Sequence, residues 1–183
     1  MQSRLSVSLL IVSTLMAMLG SGCASTAGKA RPLSAVATPE TLSQYTKLSM
    51  TTSADGDAIL MTDRDRERIT ALITQKIRSR APDRFASFGA PATEPGTLHI
   101  TIAFTRYEDG NAFSRLVQAG LGQIHIDAEV TLEDRSRHEV IAKFDVTKTF
   151  AWGGVYGAAT GIKDVEEGFA EAVANAVLGE SRD

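Results

Sequence analysis

The stretch Ile124-His125-Ile126-Asp127-Ala128-Glu129-Val130-Thr131-Leu132-Glu133 alternates apolar and polar residues without a fault. Successive side chains of a strand point to opposite faces, so this run has one face to bury and one to wet. The same period recurs before it, where Leu98, Ile100, Ile102 and Phe104 alternate with His99, Thr101, Ala103 and Thr105. It recurs again after it, where Val140, Ala142, Phe144 and Val146 stand opposite Lys143, Asp145 and Thr147. Flanking these strands, Ile69, Leu72, Ile73 and Ile77 fall on one helical face, with Thr62 or Asp63 as the cap and Pro82 just past the end. Val165, Phe169, Val173, Ala176 and Val177 form a second apolar stripe, opened by Asp164 and closed by Gly179. Tyr45 to Met50 is a short strand, followed by the turn Asp55-Gly56-Asp57. The order β-α-β-β-β-α implies an α+β fold: a four-stranded, largely antiparallel sheet with two helices on one face.

The turn Asp134-Arg135-Ser136-Arg137 leaves the register of the last hairpin open. Setting Glu133 against Arg137 and Asp127 against Lys143 pairs opposite charges. Shifting the partner strand by two residues sets Asp127 against Asp145 and Glu133 against Glu139, and like charges directly opposite are unfavourable. The first register is expected.

Outside this domain the sequence changes character. A positive charge at Arg4 precedes an apolar stretch from Leu5 to Leu19 of about 15 residues, then Gly20-Ser21-Gly22 and Cys23. This is the tripartite layout of a signal peptide. The stretch is interrupted by Ser6, Ser8, Ser13 and Thr14 and falls short of the roughly 18–20 apolar residues that a spanning helix needs. Leu19-Gly20-Ser21-Gly22-Cys23-Ala24-Ser25 resembles the lipobox of bacterial lipoproteins. That resemblance implies cleavage between Gly22 and Cys23, diacylglycerol and N-acyl lipid on Cys23, and, with Ala24 next, an outer-membrane location with the domain in the periplasm. Cys23 is the single cysteine among 183 residues, so no disulfide within the chain competes for it. Residues 24–44, rich in Ala, Ser, Thr and Pro, read as a flexible tether. The expected organisation is a signal peptide (1–22), a lipidated N-terminus and tether (23–44), one α+β domain (45–179) and a disordered tail (180–183).

Composition excludes some functions. The 19 basic residues less Arg4 leave 18 against 22 acidic ones in the processed chain, a net charge of −4, which is no footprint for nucleic acid. His99, His125, Asp127 and Glu129 share the wet face. Antiparallel pairing sets His99 beside Glu133 and His125 beside Thr105, which puts the histidines roughly 20 Å apart at about 3.4 Å per residue, too far for a shared metal. No Gly-x-Ser-x-Gly elbow and no His-Glu-x-x-His segment occurs. Neither Gly120-Leu121-Gly122 nor Gly153-Gly154-Val155-Tyr156-Gly157 joins strand to helix with phosphate-cradle spacing. No catalytic residue, metal ligand or cofactor site is expected. The repeat Gly153, Gly157, Gly161 is read as a flexible or tightly packed connection, because Lys148 and Lys163 limit its apolar length.

What remains is one end of the sheet. The loop from Arg106 to Gln123 and the glycine-rich segment from Ala151 to Ile162 lie at the same pole, and a long loop on a rigid scaffold is a favoured place for function. The residues singled out there are Tyr107, Asp109, Asn111, Phe113, Arg115, Gly120, Gly122, Trp152, Gly153, Tyr156 and Gly157. Two readings stand side by side: an interaction surface, or a helical turn in which Phe113, Leu116 and Val117 close the core. With Tyr45 entering at the opposite pole, the glycine-rich pole is expected to face away from the anchoring membrane, toward a periplasmic partner.

Asp109-Gly110-Asn111, Phe113, Arg115 and Gly120-Leu121-Gly122, running into the strand that ends at Asp134, resemble the bacterial lipoprotein family known as domain of unknown function 4410. The likeness extends from about Tyr45 to Leu178. It implies an envelope location and a fold, and assigns no catalytic residue. The functional expectation is a non-enzymatic accessory or scaffold protein, membrane-bound through its lipid and binding another envelope protein or polymer. The alternative is a ligand-binding or catalytic module acting on an envelope polymer such as peptidoglycan, which requires an enclosed pocket with converging polar groups.

Overall fold

The computed structural model describes residues 26–34, 38–54, 56 and 59–180. The signal segment, Cys23, two residues of the Asp55-Gly56-Asp57 turn and residues 181–183 lie outside the described residues. The elements in chain order are β1 (Lys29–Pro32), α1 (Pro39–Ser43), β2 (Lys47–Ala54), α2 (Asp63–Arg80), β3 (Ser87–Phe88), β4 (Thr97–Glu108), α3 (Ala112–Val117), β5 (Ile124–Asp134), β6 (Glu139–Phe150), α4 (Gly154–Ala159) and α5 (Ile162–Leu178).

The alternating runs form the centre of the sheet, and the α+β class holds. The sheet, however, has six strands in the order β1-β6-β5-β4-β2-β3 and is mixed. β4, β5 and β6 form an antiparallel meander, and β1 adds antiparallel to β6. β2 lies parallel to β4, and β3 lies parallel to β2. The four strands expected are therefore joined by an edge strand at each side. One of these, β1, comes from the segment expected to be a tether, as does α1, whose Leu42 enters the core.

Both long helices cover one face. Thr62 caps α2 by accepting the Asp65 N–H, while the Asp65 carboxylate takes the Thr62 N–H, and Ile69, Ile73 and Ile77 are fully buried. Helix α5 buries Val165, Phe169, Val173 and Val177 and ends at Gly179, whose φ of 73° supplies the left-handed cap. Arg68 meets Glu166, Lys76 meets Glu171 and Arg80 meets Glu180, so the two helices run side by side in the same direction, both starting at the glycine-rich pole.

The β5–β6 register differs from the one expected from charge. Glu129 faces Asp145, Thr131 faces Lys143 and Glu133 faces Val140, with a bulge between Leu132 and Glu133. The cause lies in the turn. The buried Asp134 carboxylate accepts the N–H groups of Ser136 (3.0 Å) and Arg137 (3.2 Å) and the Ser136 hydroxyl (2.6 Å), and His138 takes a positive φ of 56°. That cap fixes a longer loop and slides the partner strand. The opposed Glu129 and Asp145 are tolerated because Lys143 reaches Glu129 diagonally at 3.0 Å and Arg31, from β1, reaches Asp145 at 3.0 Å.

His99 does pair with Glu133, yet it is not on a wet surface: it is buried. The parallel neighbour β2 brings Ser49 to 2.6 Å from its Nδ1 and Thr51 to 3.1 Å from its Nε2. His125 faces Glu108 rather than Thr105, because a bulge between Phe104 and Arg106 shifts the ladder.

Candidate functional site: the glycine-rich pole

Asn111 opens α3 by accepting the Ser114 N–H at 2.9 Å, and its own N–H reaches the Gly122 carbonyl at 3.2 Å. The loop thus closes on itself, with Gly122 at φ 62°, where a Cβ would strike the Asn111 carbonyl. Gly120 then donates to the Ala151 carbonyl at 2.9 Å, which ties this loop to the segment after β6. Helix α4 packs in turn: a Cβ on Gly157 would strike the Trp152 carbonyl. The connection read as flexible or tightly packed is the packed one.

Arg115 holds the two segments together. It is 2% exposed. Nε donates to Gly157 O at 2.7 Å, Nη1 to Asp109 O at 2.8 Å and Gly122 O at 2.6 Å, and Nη2 to Thr160 O at 2.8 Å. A guanidinium suits this task because its planar fork presents five N–H donors in fixed directions. Arg115, expected on the interaction surface, is a clamp inside it.

The helical turn at Phe113–Val117 forms, but it does not close the core. Phe113 is 73% and Val117 69% exposed, and Leu116 also faces out. Val155 on α4 is 80% exposed, and Leu60, in the loop from β2 to α2 at the same end, is 86% exposed. Trp152 and Tyr156 stack edge to face at 6.1 Å, and Tyr156 makes a second such contact with Phe150 at 5.8 Å. Within residues 110–124 and 149–162 the single charged residue is the buried Arg115. Asp109 and Asn111 are exposed at the rim.

Tyr107 belongs to a buried ionic cluster beneath the pole that sequence reading missed. Glu166 is fully buried, takes two 2.6 Å hydrogen bonds from Arg68 and accepts the Tyr107 hydroxyl at 2.6 Å. Burial and the bond to Glu166 push the Tyr107 pKa up, and the bond to Glu166 keeps Arg68 firmly protonated. Burial alone would raise the Asp65 pKa, but hydrogen bonds from Thr62 and Arg68 outweigh it and hold Asp65 at about 2. The residues involved sit on α2, β4 and α5, so only the tertiary fold brings them together.

Beside Trp152 runs a groove of about 270 Å³, lined by Thr26, Gly28, Lys148, Phe150 and Trp152. Lys148 points inward and donates to the Thr26 carbonyl at 2.6 Å and to its hydroxyl at 3.0 Å. Strand β1 therefore begins at this pole: Lys29 pairs with Thr147 and Pro32 with Phe144, so the chain runs from the glycine-rich pole toward the opposite one. Tyr45 does enter at the opposite pole, since β2 is parallel to β4, but residue 26 does not. The expectation of opposite ends rested on Tyr45 as the point where the chain enters the domain, and β1 moves that point to the glycine-rich pole. Among the described residues no three His, Cys, Asp or Glu side chains gather as a metal site.

Residues 37–154 match the family described as Domain of unknown function (DUF4410). The chain belongs to this family. The DUF4410 match spans α1 to β6 and includes Arg115 with its Asp109 and Gly122 acceptors, while β1, the Gly157 and Thr160 acceptors and α5 lie outside it. No curated protein is similar in sequence. Among solved structures, the chain resembles a PelC dodecamer from Paraburkholderia phytofirmans at 18% identity, covering 85% of this chain and 99% of that one, with a TM-score of 0.54. A single-substitution variant of the same PelC, also a dodecamer, is similar at 14% identity and the same coverage, with a TM-score of 0.55. A protein from Xanthomonas campestris assigned to the DUF330 family is 14% identical over 81% of this chain and 95% of that one, with a TM-score of 0.48. The two PelC likenesses show a shared fold and nothing more.

Proposed function

We propose that the protein is a lipid-anchored envelope lipoprotein, acting without enzymatic activity as an accessory or scaffold. Cleavage before Cys23 and acylation of that cysteine tie it to the bacterial outer membrane, with the domain in the periplasm. The observation that carries this reading is the start of β1: Thr26, three residues after Cys23, lies at a pole that exposes a group of large apolar side chains, with Asp109 and Asn111 at its rim. Three of the polar groups there are committed to structure. Arg115 serves four carbonyls, Tyr107 serves Glu166 and Asn111 caps α3, which favours a docking surface over a reaction centre. For the scaffold role, another copy of the chain is the first partner to test, because the PelC that shares its fold is a dodecamer in both of its structures.

Palmitate-analogue labelling of the full chain and of Cys23→Ala tests the anchor. Label on the wild type alone, with the acylated mass on Cys23, is expected. An unlabelled wild type, or a mature N-terminus elsewhere, refutes it. Light scattering of the detergent-solubilised protein tests self-assembly, with a multiple of the monomer mass expected and a monomer refuting it.

A further inference from the structure

The glycine-rich pole combines three properties that the rest of the surface lacks among the described residues. It exposes large apolar side chains, it exposes no charge across residues 110–124 and 149–162, and it is rigid, because Arg115 and the Gly120–Ala151 bond lock its two segments together. A surface on which roughly a quarter of residues are ordinarily charged does not lose its charge over two long segments without cause. Among the described residues the other exposed large hydrophobics, Leu33 and Val140, stand singly at the far end of the sheet.

The chain itself says what covers this patch. Thr26 and Trp152 line one groove, so the point at which the chain enters the domain is adjacent to the patch. From Thr26 back to Cys23 is three residues, a reach of about 10 Å at roughly 3.4 Å per residue. Resting on the proposed acylation of Cys23, that reach holds the patch within the depth of about 5–10 Å at which apolar faces settle into a bilayer interface. Trp152 and Tyr156 are residue types that favour that level.

We infer that the glycine-rich pole docks into the interface of the periplasm-facing leaflet to which the lipid is attached, as a second, non-covalent membrane contact. Phe113, Val117 and Val155 enter the acyl boundary, with Trp152 at headgroup depth. The lipid alone leaves the domain free to tumble. Docking the pole stands the sheet on end and holds its wet face and the outer sides of α2 and α5 upright for lateral contacts.

Trp152 is the protein's single tryptophan and reports on this directly. The acylated full chain is reconstituted into phosphatidylcholine vesicles, with and without bromine on the acyl chains. Mass spectrometry of Cys23 reads the anchor, and Trp152 emission reads the pole. Docking predicts a blue shift on reconstitution and loss of most of the emission in brominated vesicles, unchanged by added salt because no exposed charge takes part. Val155→Asp and Phe113→Asp, both at exposed positions, are expected to float with the vesicles and to recover the emission. An acylated wild type that floats with unquenched Trp152 overturns the inference and leaves the anchor standing. An unacylated chain whose Trp152 is still quenched overturns the anchor and leaves the pole standing. Emission shielded equally without vesicles, in a multimer, overturns the inference in favour of a contact between copies.

Discussion

Replacing Arg115 with alanine removes the clamp of the glycine-rich pole, and the structure sets the size of the effect. Four backbone carbonyls, of Asp109, Gly122, Gly157 and Thr160, lose their donor at once. A buried acceptor left unsatisfied costs about 1–3 kcal/mol. Water reaches part of the opened pole, and burying the guanidinium carried its own desolvation cost, so the net loss is about 3–4 kcal/mol, in the range for breaking a buried charged network. A chain beginning at residue 24 retains the entire hydrophobic core, which starts at Leu42, and serves for urea titration. With a slope of about 2 kcal/mol per molar, the midpoint is expected to fall by about 1.5–2 M. Arg115→Lys recovers at most half of this, because one ammonium cannot reach four diverging carbonyls. Trp152 fluorescence is expected to change before the far-ultraviolet circular dichroism does, since the pole opens ahead of the sheet. A midpoint shift below about 0.5 M, with the two signals coincident, refutes the clamp.

Glu166→Ala strands Arg68 and the Tyr107 hydroxyl, and a loss of about 3–5 kcal/mol is expected, read as a fall in Tm of roughly 10 °C. Gly157→Ala drives a Cβ into the Trp152 carbonyl, with a cost of about 1–3 kcal/mol and a shift in Trp152 emission that an exposed Ala159→Ser control lacks. For Asp65 the folded pKa of about 2 lies below the ordinary aspartate value of 3.8, so its stabilisation is complete above about pH 4 and is lost as pH falls toward 2; Asp65→Asn is expected to flatten that limb of the stability curve. Burial, then the Arg135 charge, lowers the His99 pKa below 6.5, so the folded protein holds it neutral while the unfolded chain takes up a proton. Stability is therefore expected to decline as pH falls below 6.5, and His99→Gln to reduce that slope; an unchanged slope counts against the buried site.

The centre of the fold was legible because a strand with one buried face must alternate, and β4, β5 and β6 do so over many residues. The edge strands were not. β1 has four residues and β3 two, too few to establish a period, and β1 is held by the open edge of β6 and by the Gly28 N–H on Gly168 O at 2.8 Å. The hairpin register failed for a related reason. A shift by two keeps every side chain on its face, so burial cannot choose among such registers, and the Asp134 cap outweighed the surface charge pairs. At the pole the residues were found but several of their roles were not. Arg115 bonds only to backbone carbonyls, which have no counterpart in a side-chain pattern, and Glu166 meets Arg68 across 98 positions of sequence. The missing charge in residues 110–124 and 149–162 was visible throughout, yet its bearing on the membrane depended on the direction of β1.

That direction also decides how the domain bears a pull. Tension on residue 26 from beyond the pole acts along the axis of β1, while the hydrogen bonds joining β1 to β6 lie across it. The ladder is loaded in shear, its bonds sharing the force together, with the Leu33 N–H on Lys143 O at 2.8 Å as the last link. Had the chain entered from the opposite pole and turned back, the same strand would peel away one bond at a time.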